Sequence, residues 1–234
     1  TPTMPSLMSR RISTRDANSP SNPDTQGNPD LRPEVATGLD VSAERYLAQG
    51  GVLSATVFHR RVRDLIRNVV TQDAQNIWLS TPQNISAATT QGVELEAKFR
   101  LDQWIANAPS VETRSNVSFY HSKVDSVPGP DNRLSQQAAG SLNLGADYKI
   151  PHTPVTVGGN VNWTPGYRTR LSENQWALQS PKRVIDFYGL YQVTPNARVR
   201  LSASNLDPRE VETASTVGDE TATTLSRSYI NWAL

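Results

Sequence analysis

Apolar and polar residues alternate strictly along several stretches of the chain. In the segment GVELEAKFRL, Gly92–Leu101, the odd-numbered positions are apolar and the even-numbered positions from 94 to 100 are charged. The same alternation recurs in SLNLGADYKI (141–150), VTVGGNVNW (155–163) and RVRLSAS (198–204). A period of two is typical of β-strands with two different faces. No segment shows a convincing helical period, so the pattern predicts an all-β protein.

The pattern predicts about nine strands, and several of them are ten residues or longer. Their predicted ranges are 36–46, 52–67, 91–101, 111–125, 138–150, 155–165, 183–194, 198–206 and 225–234. Strands in globular proteins usually have about five or six residues. A strand that crosses a bilayer at a tilt needs about 9–11 residues. The predicted lengths therefore favour strands that span a membrane.

The joins between the predicted strands alternate between short and long. The short joins are LAQGG, PHTP, TPNA and a somewhat longer piece around Trp104. The long, polar joins lie near 68–90, 126–137, 166–182 and 207–224. Up-and-down membrane barrels have tight periplasmic turns and long outer loops. We therefore predict an antiparallel up-and-down transmembrane β-barrel, present in part. Residues 1–35 are expected to hold a strand remnant near Leu7–Ile12 and then an extracellular loop.

Composition agrees with a wide barrel. Apolar residues make up 36% of the chain, below the roughly 45–50% of soluble globular proteins. One strand face of a barrel can stay polar, because it lines a wet lumen. A soluble β-rich module, such as an adhesin domain, also alternates. That alternative stays open, although the strand lengths and the regular joins oppose it.

Several classes of function have no support in the composition. The net charge of +1 does not point to nucleic acid. Cysteine is absent, and His59, His121 and His152 lack metal-ligand spacing. Glu94 and Glu96 lie about 6.5–7 Å apart on one strand face, a separation that inverting glycosidases use. Lys98 and Arg100 continue that row, so a charged lumen stripe is favoured. We predict no enzyme activity, no metal site and no cofactor.

The segment GNPDLRPE resembles a motif of TonB-dependent outer-membrane receptors that precedes a strand in the second half of their barrel. Further resemblances follow in the family's order, in the hairpin after it, in NISAATTQGVELEAKF, in SASNLDPRE and in SRSYINWAL. The matching positions are Asn28, Pro29, Leu31, Pro33, Glu34, Phe58, Leu65, Ile66, Asn84, Gly92, Glu94, Glu96, Asn205 and Leu206. The resemblance covers nearly all of residues 28–234, and its motifs are specific through their order and spacing.

The resemblance implies that residues 36–234 are about the last nine strands of a 22-stranded barrel. The family's plug domain and TonB box would then lie outside this chain. The whole protein would reside in the outer membrane of a Gram-negative bacterium. It would contact lipid and lipopolysaccharide there, and it would contact TonB through the plug. Its ligand would most commonly be a ferric siderophore, and a passive porin is the alternative. Family members usually end on an aromatic residue, so we expect a few residues beyond Leu234.

Two groups of residues are candidate sites. Tyr167, Arg168, Arg170 and Trp176 lie in a predicted outer loop, and Trp78 lies in another. Arginine with aromatic rings could hold an anionic, aromatic ligand such as an iron-loaded catecholate. Trp104, Tyr148 and Tyr191 fall near the predicted periplasmic strand ends, where aromatic side chains form an interfacial girdle.

The segment Phe58–Arg67, FHRRVRDLIR, is strongly basic. Its arginines could bind lipopolysaccharide phosphates. Simple solvation, or pairing with Asp64, is the favoured interpretation.

Overall fold

The computed structural model describes residues 2–14, 16–47 and 50–234. Its strands, in chain order, are β1 Arg11–Ile12, β2 Asp24–Gln26, β3 Val35–Tyr46, β4 Val52–Gln72, β5 Trp78–Arg100, β6 Val111–Val124, β7 Gly140–Lys149, β8 Val155–Thr164, β9 Tyr167–Arg170, β10 Gln175–Gln179, β11 Lys182–Thr194, β12 Ala197–Ser204, β13 Val211–Val217, β14 Glu220–Ser226 and β15 Asn231–Ala233. A helix, α1, covers Met4–Leu7, and a 3-10 helix covers Leu101–Gln103.

Nine of these strands form one continuous, open arc. Their order is β3, β4, β5, β6, β7, β8, β11, β12 and β15, and each pairs antiparallel with the next. The arc does not close on itself, as expected for part of a larger cylinder. The predicted fold class, a partial up-and-down barrel, is confirmed. The joins at one end of the arc are short, and most of those at the other end are long. We call these the short-turn end and the long-loop end.

The interval 68–90 is not the long loop that the pattern predicted. β4, which has 21 residues in total, and β5, which has 23, both extend into this interval, and only residues 73–77 turn. Asp64 has a φ of 56°, and the pairing of β4 with β5 shifts register around Leu65. This irregularity breaks the period of two. A bilayer uses only about ten residues of a strand, so strands of this length would extend beyond it, where no strand face has to stay apolar.

Two of the predicted long loops pair with each other in a second sheet. β9 and β10 come from the predicted loop 166–182, and β13 and most of β14 come from the predicted loop 207–224. The sheet order is β14-β13-β10-β9. We call these four strands the loop sheet. The predicted last strand, 225–234, is therefore wrong in part, because Leu225 pairs with Glu212 in the loop sheet. Only Asn231–Ala233 joins the arc.

The N-terminal segment is only partly extended. Met4–Leu7 is helical, so the strand remnant predicted near Leu7–Ile12 is limited to β1. β2 lies parallel to the start of β5. The Asp24 carboxylate accepts a hydrogen bond from Arg11 Nε at 2.7 Å and another from the main chain of Thr14. The hydrogen bond from Thr14 and then the Arg11 guanidinium hold the pKa of Asp24 below its usual value.

The two faces of the arc differ sharply. One row of paired residues is Ala55, Leu95, Val117, Leu142 and Trp163. The adjacent row, on the other face, is Ser54, Glu96, Asn116, Asn143 and Asn162. The exposed large apolar side chains on the first face include Leu39, Val41, Val57, Leu95, Phe119, Leu144, Trp163, Phe187, Tyr191, Val199 and Leu201. Apolar residues that face outward are expected where a barrel meets lipid. We call the apolar side the outer face and the polar side the inner face.

A conventional apolar core is small in the described residues. One buried cluster contains Leu65, Ala88, Val124 and Val127, with Val62, Ile85 and Leu134 packed against it. It lies at the long-loop end, where residues 125–139 fold back onto the strands. Asn132 holds this loop through hydrogen bonds from its side-chain amide to the carbonyls of Val124 and Val127. In the part of the chain that is described, no helix is long and apolar enough to cross a membrane.

Candidate functional site

The loop sheet brings three of the predicted ligand-contact residues together. Trp176 on β10 is paired with Arg170 on β9. The guanidinium carbon of Arg168 lies 4.3 Å from the centre of the Trp176 ring, and that of Arg170 lies 5.2 Å from it. Arg168 and Arg170 are two residues apart, so they share one face of the strand with the indole. The result is a cation–π cluster of two arginines and one tryptophan.

The two arginines of this cluster have different roles. The Arg170 guanidinium donates hydrogen bonds to the carbonyls of Ser172 and Glu173, and more weakly to those of Pro128 and Gly129. The Arg170 side chain therefore stabilises its own loop and connects it to the loop after β6. Arg168 is exposed, and within the described ranges its side chain makes no hydrogen bond or ion pair. Arg168 and Trp176 are thus the pair that remains available to a ligand.

Tyr167 and Trp78 do not join the cation–π cluster. Tyr167 lies one position before Arg168 and therefore on the opposite face of β9. Burial raises the pKa of its phenol. Trp78 lies at the start of β5, where its main-chain N–H and carbonyl both bond to the Asn18 side chain. The five ligand-contact candidates therefore occupy at least three separate places on the structure.

Arg67 connects the loops, a role that the sequence did not suggest. Its side chain is buried, with 7% of its surface exposed. Its guanidinium donates to the carbonyls of Arg133 at 2.5 Å, Leu171 at 2.8 Å and Arg170 at 3.4 Å. Burial lowers the pKa of this guanidinium. The expectation that the arginines of segment 58–67 are solvated or pair with Asp64 is wrong for Arg67. Asp64 instead pairs with Arg32 at 2.6 Å.

A cavity of about 460 Å³ lies beside Arg67 where the loops meet. Its lining comprises Pro20, Ser21, Pro23, Ile66, Arg67, Asn68, Val70, Ser80, Ser135, Leu171, Gln175, Ser215 and Val217. Four separate segments of the chain contribute to it: the N-terminal segment, the β4–β5 hairpin, the loop after β6 and the loop sheet. Gln175 is paired with Val217, and both line this cavity. The strand alternation places Trp176 on the opposite side of the loop sheet.

A second cavity, of about 500 Å³, lies on the inner face below the long loops. Arg60 pairs there with Asp40 at 2.9 Å, and its guanidinium carbon lies 4.9 Å from the centre of the Phe58 ring. The Tyr120 hydroxyl donates to Glu94 at 3.3 Å. The Phe58 ring lies over Gly92, where a Cβ atom would come within 2.7 Å of it. The inner wall thus combines charged groups with aromatic rings on neighbouring strands.

The three predicted interface aromatics lie near one end of the arc. Tyr148 and Tyr191 occupy the outer face close to the short-turn ends of β7 and β11, and Tyr191 is half exposed. Trp104 follows the 3-10 helix, and its ring centre lies 5.8 Å from that of Phe99. Their assignment to a membrane-interface girdle remains a prediction. Phe119 and Trp163, at the long-loop end of the outer face, would form the matching aromatics at the other interface.

Comparison with known proteins identifies the family. A family model described as TonB dependent receptor-like, beta-barrel, matches residues 2–206. The chain is 31% identical over 202 residues to the iron-regulated outer membrane virulence protein of Vibrio cholerae serotype O1, covering 80% of this chain and 29% of that protein. It is 30% identical over 148 residues to heme/hemopexin utilization protein C of Haemophilus influenzae, covering 57% and 19%.

A solved structure supports the fold. The siderophore receptor PirA from Acinetobacter baumannii superposes with a TM-score of 0.58 at 15% identity, covering 86% of this chain and 33% of that one. The chain spans less than a third of the length of the Haemophilus influenzae and Vibrio cholerae proteins. These matches, with the apolar outer face, do not favour a soluble module or a passive channel. The chain belongs to the TonB-dependent receptor-like β-barrel family and is a segment of an outer-membrane β-barrel.

Proposed function

We propose that the complete protein takes up a ferric siderophore through the outer membrane with energy supplied through TonB. This chain would supply the C-terminal part of the barrel wall, several outer loops and part of the ligand-facing surface. The observation that carries the proposal is the polar inner wall with loops above it that are bonded to one another. Arg67 connects two of these loops, and two are paired in the loop sheet. A passive pore has no need for such bonded loops. A receptor needs them to hold its ligand before release inward.

The relatives support an iron compound as the cargo. One is named for iron regulation, one for heme and hemopexin utilization, and the superposed structure is a siderophore receptor. Heme is therefore the second candidate cargo. The Arg168–Trp176 pair favours an anionic, aromatic chelate, because a guanidinium and an indole face offer charge and stacking together.

Growth on defined iron sources tests this proposal. A strain that lacks the complete gene should fail to grow when one ferric siderophore is the only iron source, and the gene on a plasmid should restore growth. The restored growth should disappear in a strain without TonB, because uptake through a passive pore would not require it. If the deletion strain fails to grow on heme but still grows on every siderophore, heme is the cargo and the siderophore proposal is wrong. Unchanged growth on every siderophore and on heme would overturn the proposal.

Replacing Arg168 with glutamine in the full-length receptor should weaken binding of a ferric catecholate by roughly 2- to 30-fold, because a cation–π contact contributes about 0.5–2 kcal/mol. Fluorescence titration of the purified receptor measures this affinity. Arg227→Gln is the matched control. It removes one exposed arginine at the same, long-loop end of the barrel, where the Arg227 guanidinium pairs with Glu210 at 2.9 Å. Equal effects of the two substitutions would show that Arg168 acts only through overall charge.

A further inference from the structure

The cavity beside Arg67 contains a positive charge without a counter-charge. Arg67 is buried, with 7% of its surface exposed, and it is the single charged side chain among the described residues that line this cavity. None of the ion pairs in the described part of the chain includes it. Arginine is almost never buried unless it is paired. The charge of Arg67 therefore lacks the partner that a buried guanidinium normally has.

The Arg67 guanidinium also keeps unused hydrogen-bond donors. A guanidinium has five N–H groups, and the three carbonyl contacts of Arg67 use only Nη1 and Nη2. At least two N–H groups, among them the one on Nε, thus donate to no group in the described residues. Nε and Nη2 together can hold one carboxylate, as Arg100 holds Asp102 in this structure. Arg67 can therefore still receive a carboxylate.

The acidic side chains bonded to the wall of the cavity do not supply that carboxylate. Glu220 accepts a hydrogen bond from the Ser21 hydroxyl at 3.2 Å, and Glu34 accepts one from the main-chain N–H of Ile66 at 2.7 Å. Ser21 and Ile66 line the cavity, but neither glutamate does. The negative charge that would complete the site thus has to come from a bound molecule.

The rest of the lining is polar but neutral, apart from its apolar residues. Four side chains carry a hydroxyl group and two carry a carboxamide: Ser21, Ser80, Ser135, Ser215, Asn68 and Gln175. Hydroxyl groups and carboxamides both donate and accept hydrogen bonds, which suits the hydroxyl groups of a ligand. The volume of about 460 Å³ lies within the range of small-molecule sites. A single inorganic ion would reach only a few of these groups.

We propose that this cavity binds a small hydroxylated molecule with a single carboxylate, of the class of the sugar acids. Its carboxylate accepts hydrogen bonds from Arg67, and its hydroxyl groups bond to the serines and carboxamides. One guanidinium matches one negative charge, so molecules with several charges fit less well. The loop sheet separates the cavity from the Arg168–Trp176 pair, so this ligand is a second one and is distinct from the proposed iron chelate. Because four segments line the cavity, the bound molecule also holds the outer loops together.

Isothermal titration calorimetry of the full-length receptor, purified in a neutral detergent without phosphate or carboxylate buffers, tests this assignment with D-gluconate as the probe. Sorbitol, which has the hydroxyl groups but no charge, should bind at least roughly tenfold more weakly, as expected when a hydrogen bond to a charged group is lost. Acetate, which has the charge but no hydroxyl group, and inorganic phosphate should also bind more weakly than gluconate. Absence of gluconate binding, or equal binding of sorbitol, acetate or phosphate, would overturn the proposal.

Substitutions in the wall locate the site. Arg67→Met should weaken gluconate binding by roughly ten- to hundredfold, but it also loosens the loops. Ser215→Phe leaves Arg67 in place, fills the cavity with a ring and should weaken binding at least as much. Thr213→Phe is the matched control, because it adds the same ring two residues earlier on the same face of β13, outside the lining, and should bind as the wild type does. Unchanged binding in Ser215→Phe, or an equal loss in Thr213→Phe, would contradict the assignment.

Hydrogen exchange supplies a readout that does not depend on the substitutions. Saturating gluconate should slow the exchange of backbone amides in residues 126–137 and 166–182 of the wild-type receptor, because the bound molecule connects these loops. Sorbitol at the same concentration should leave their exchange unchanged, and an equal effect of the two compounds would contradict the proposal. Neither measurement involves iron or TonB, so the gluconate site and the proposed uptake function can fail separately.

Discussion

Replacing Leu144 with arginine should destabilise the membrane-inserted receptor by about 2–4 kcal/mol, as a cation does on the lipid face of a barrel near the bilayer midplane. Leu144 lies near the middle of the outer face of β7, paired with Ser115 and Val161, and 44% of its surface is exposed to what would be lipid. The fraction of receptor that keeps its folded, heat-modifiable gel mobility across a urea titration measures the change in the free energy of unfolding.

The adjacent residue provides the control. Asn143 is exposed on the inner face, between Asn116 and Asn162. Asn143→Arg adds the same side chain one position away, but into a polar surface, and should change stability by less than about 1 kcal/mol. A larger cost for Asn143→Arg than for Leu144→Arg would show that the two faces of the arc have been assigned the wrong way round.

Replacing Arg67 with methionine should loosen the loops that Arg67 connects, without unfolding the barrel. Methionine has a similar length but donates no hydrogen bond, so the carbonyls of Arg133 and Leu171 lose their donor in a buried place. An unpaired buried carbonyl costs about 1–3 kcal/mol. Backbone amides of residues 126–137 and 166–182 should therefore exchange hydrogen roughly 10- to 100-fold faster. Mass spectrometry of hydrogen exchange in the full-length receptor measures this change.

Arg168→Met is the control substitution. It removes a positive charge without removing hydrogen bonds that hold the loops, so it separates these two effects. Arg168 is exposed, and its guanidinium bonds to no carbonyl in the described part of the chain, so its loss should leave exchange in both loops nearly unchanged. Arg67→Lys should lie between the two, because an ammonium group reaches fewer carbonyls than a guanidinium does. Equal exchange in the Arg67→Met and wild-type receptors would mean that the loops hold together without this residue.

The strands inside the membrane were predictable because lipid on one side and water on the other impose a strict alternation. The segments around Val93 and Leu144 therefore agree closely with the observed β5 and β7. Above the membrane this constraint ends, and Asp64 adds an irregularity. The prediction consequently missed the last five residues of β4 and the first thirteen residues of β5. A strand that water surrounds on both sides leaves no periodic pattern in its sequence.

Pairing between segments that are far apart in the sequence was the second feature that could not be predicted. Trp176 lies beside Thr216 in the loop sheet, forty positions further along the chain, and neither segment alternates clearly. The residue types made Arg168 and Trp176 candidates for contact with a ligand. Their contact with each other, and the separation of Tyr167 and Trp78 from it, did not follow from the sequence. Arg67 was the largest omission. Arginine is almost never fully buried unless it is paired, and carbonyl partners from loops cannot be read from local sequence.

The length of the β4–β5 hairpin determines how far this part of the protein extends from the cell surface. A bilayer uses about 10 residues of a strand, so roughly ten more residues of β4 would extend about 33 Å along the strand beyond the lipid. The height above the lipid is smaller than this length, because barrel strands are tilted. The tip is a defined turn, in which the Asp73 carboxylate accepts hydrogen bonds from the main chain of Gln75 and Ile77. An antibody that binds intact bacteria would be able to reach this hairpin beyond the lipid. The turn is accordingly the place for a short epitope that reports surface display in intact cells.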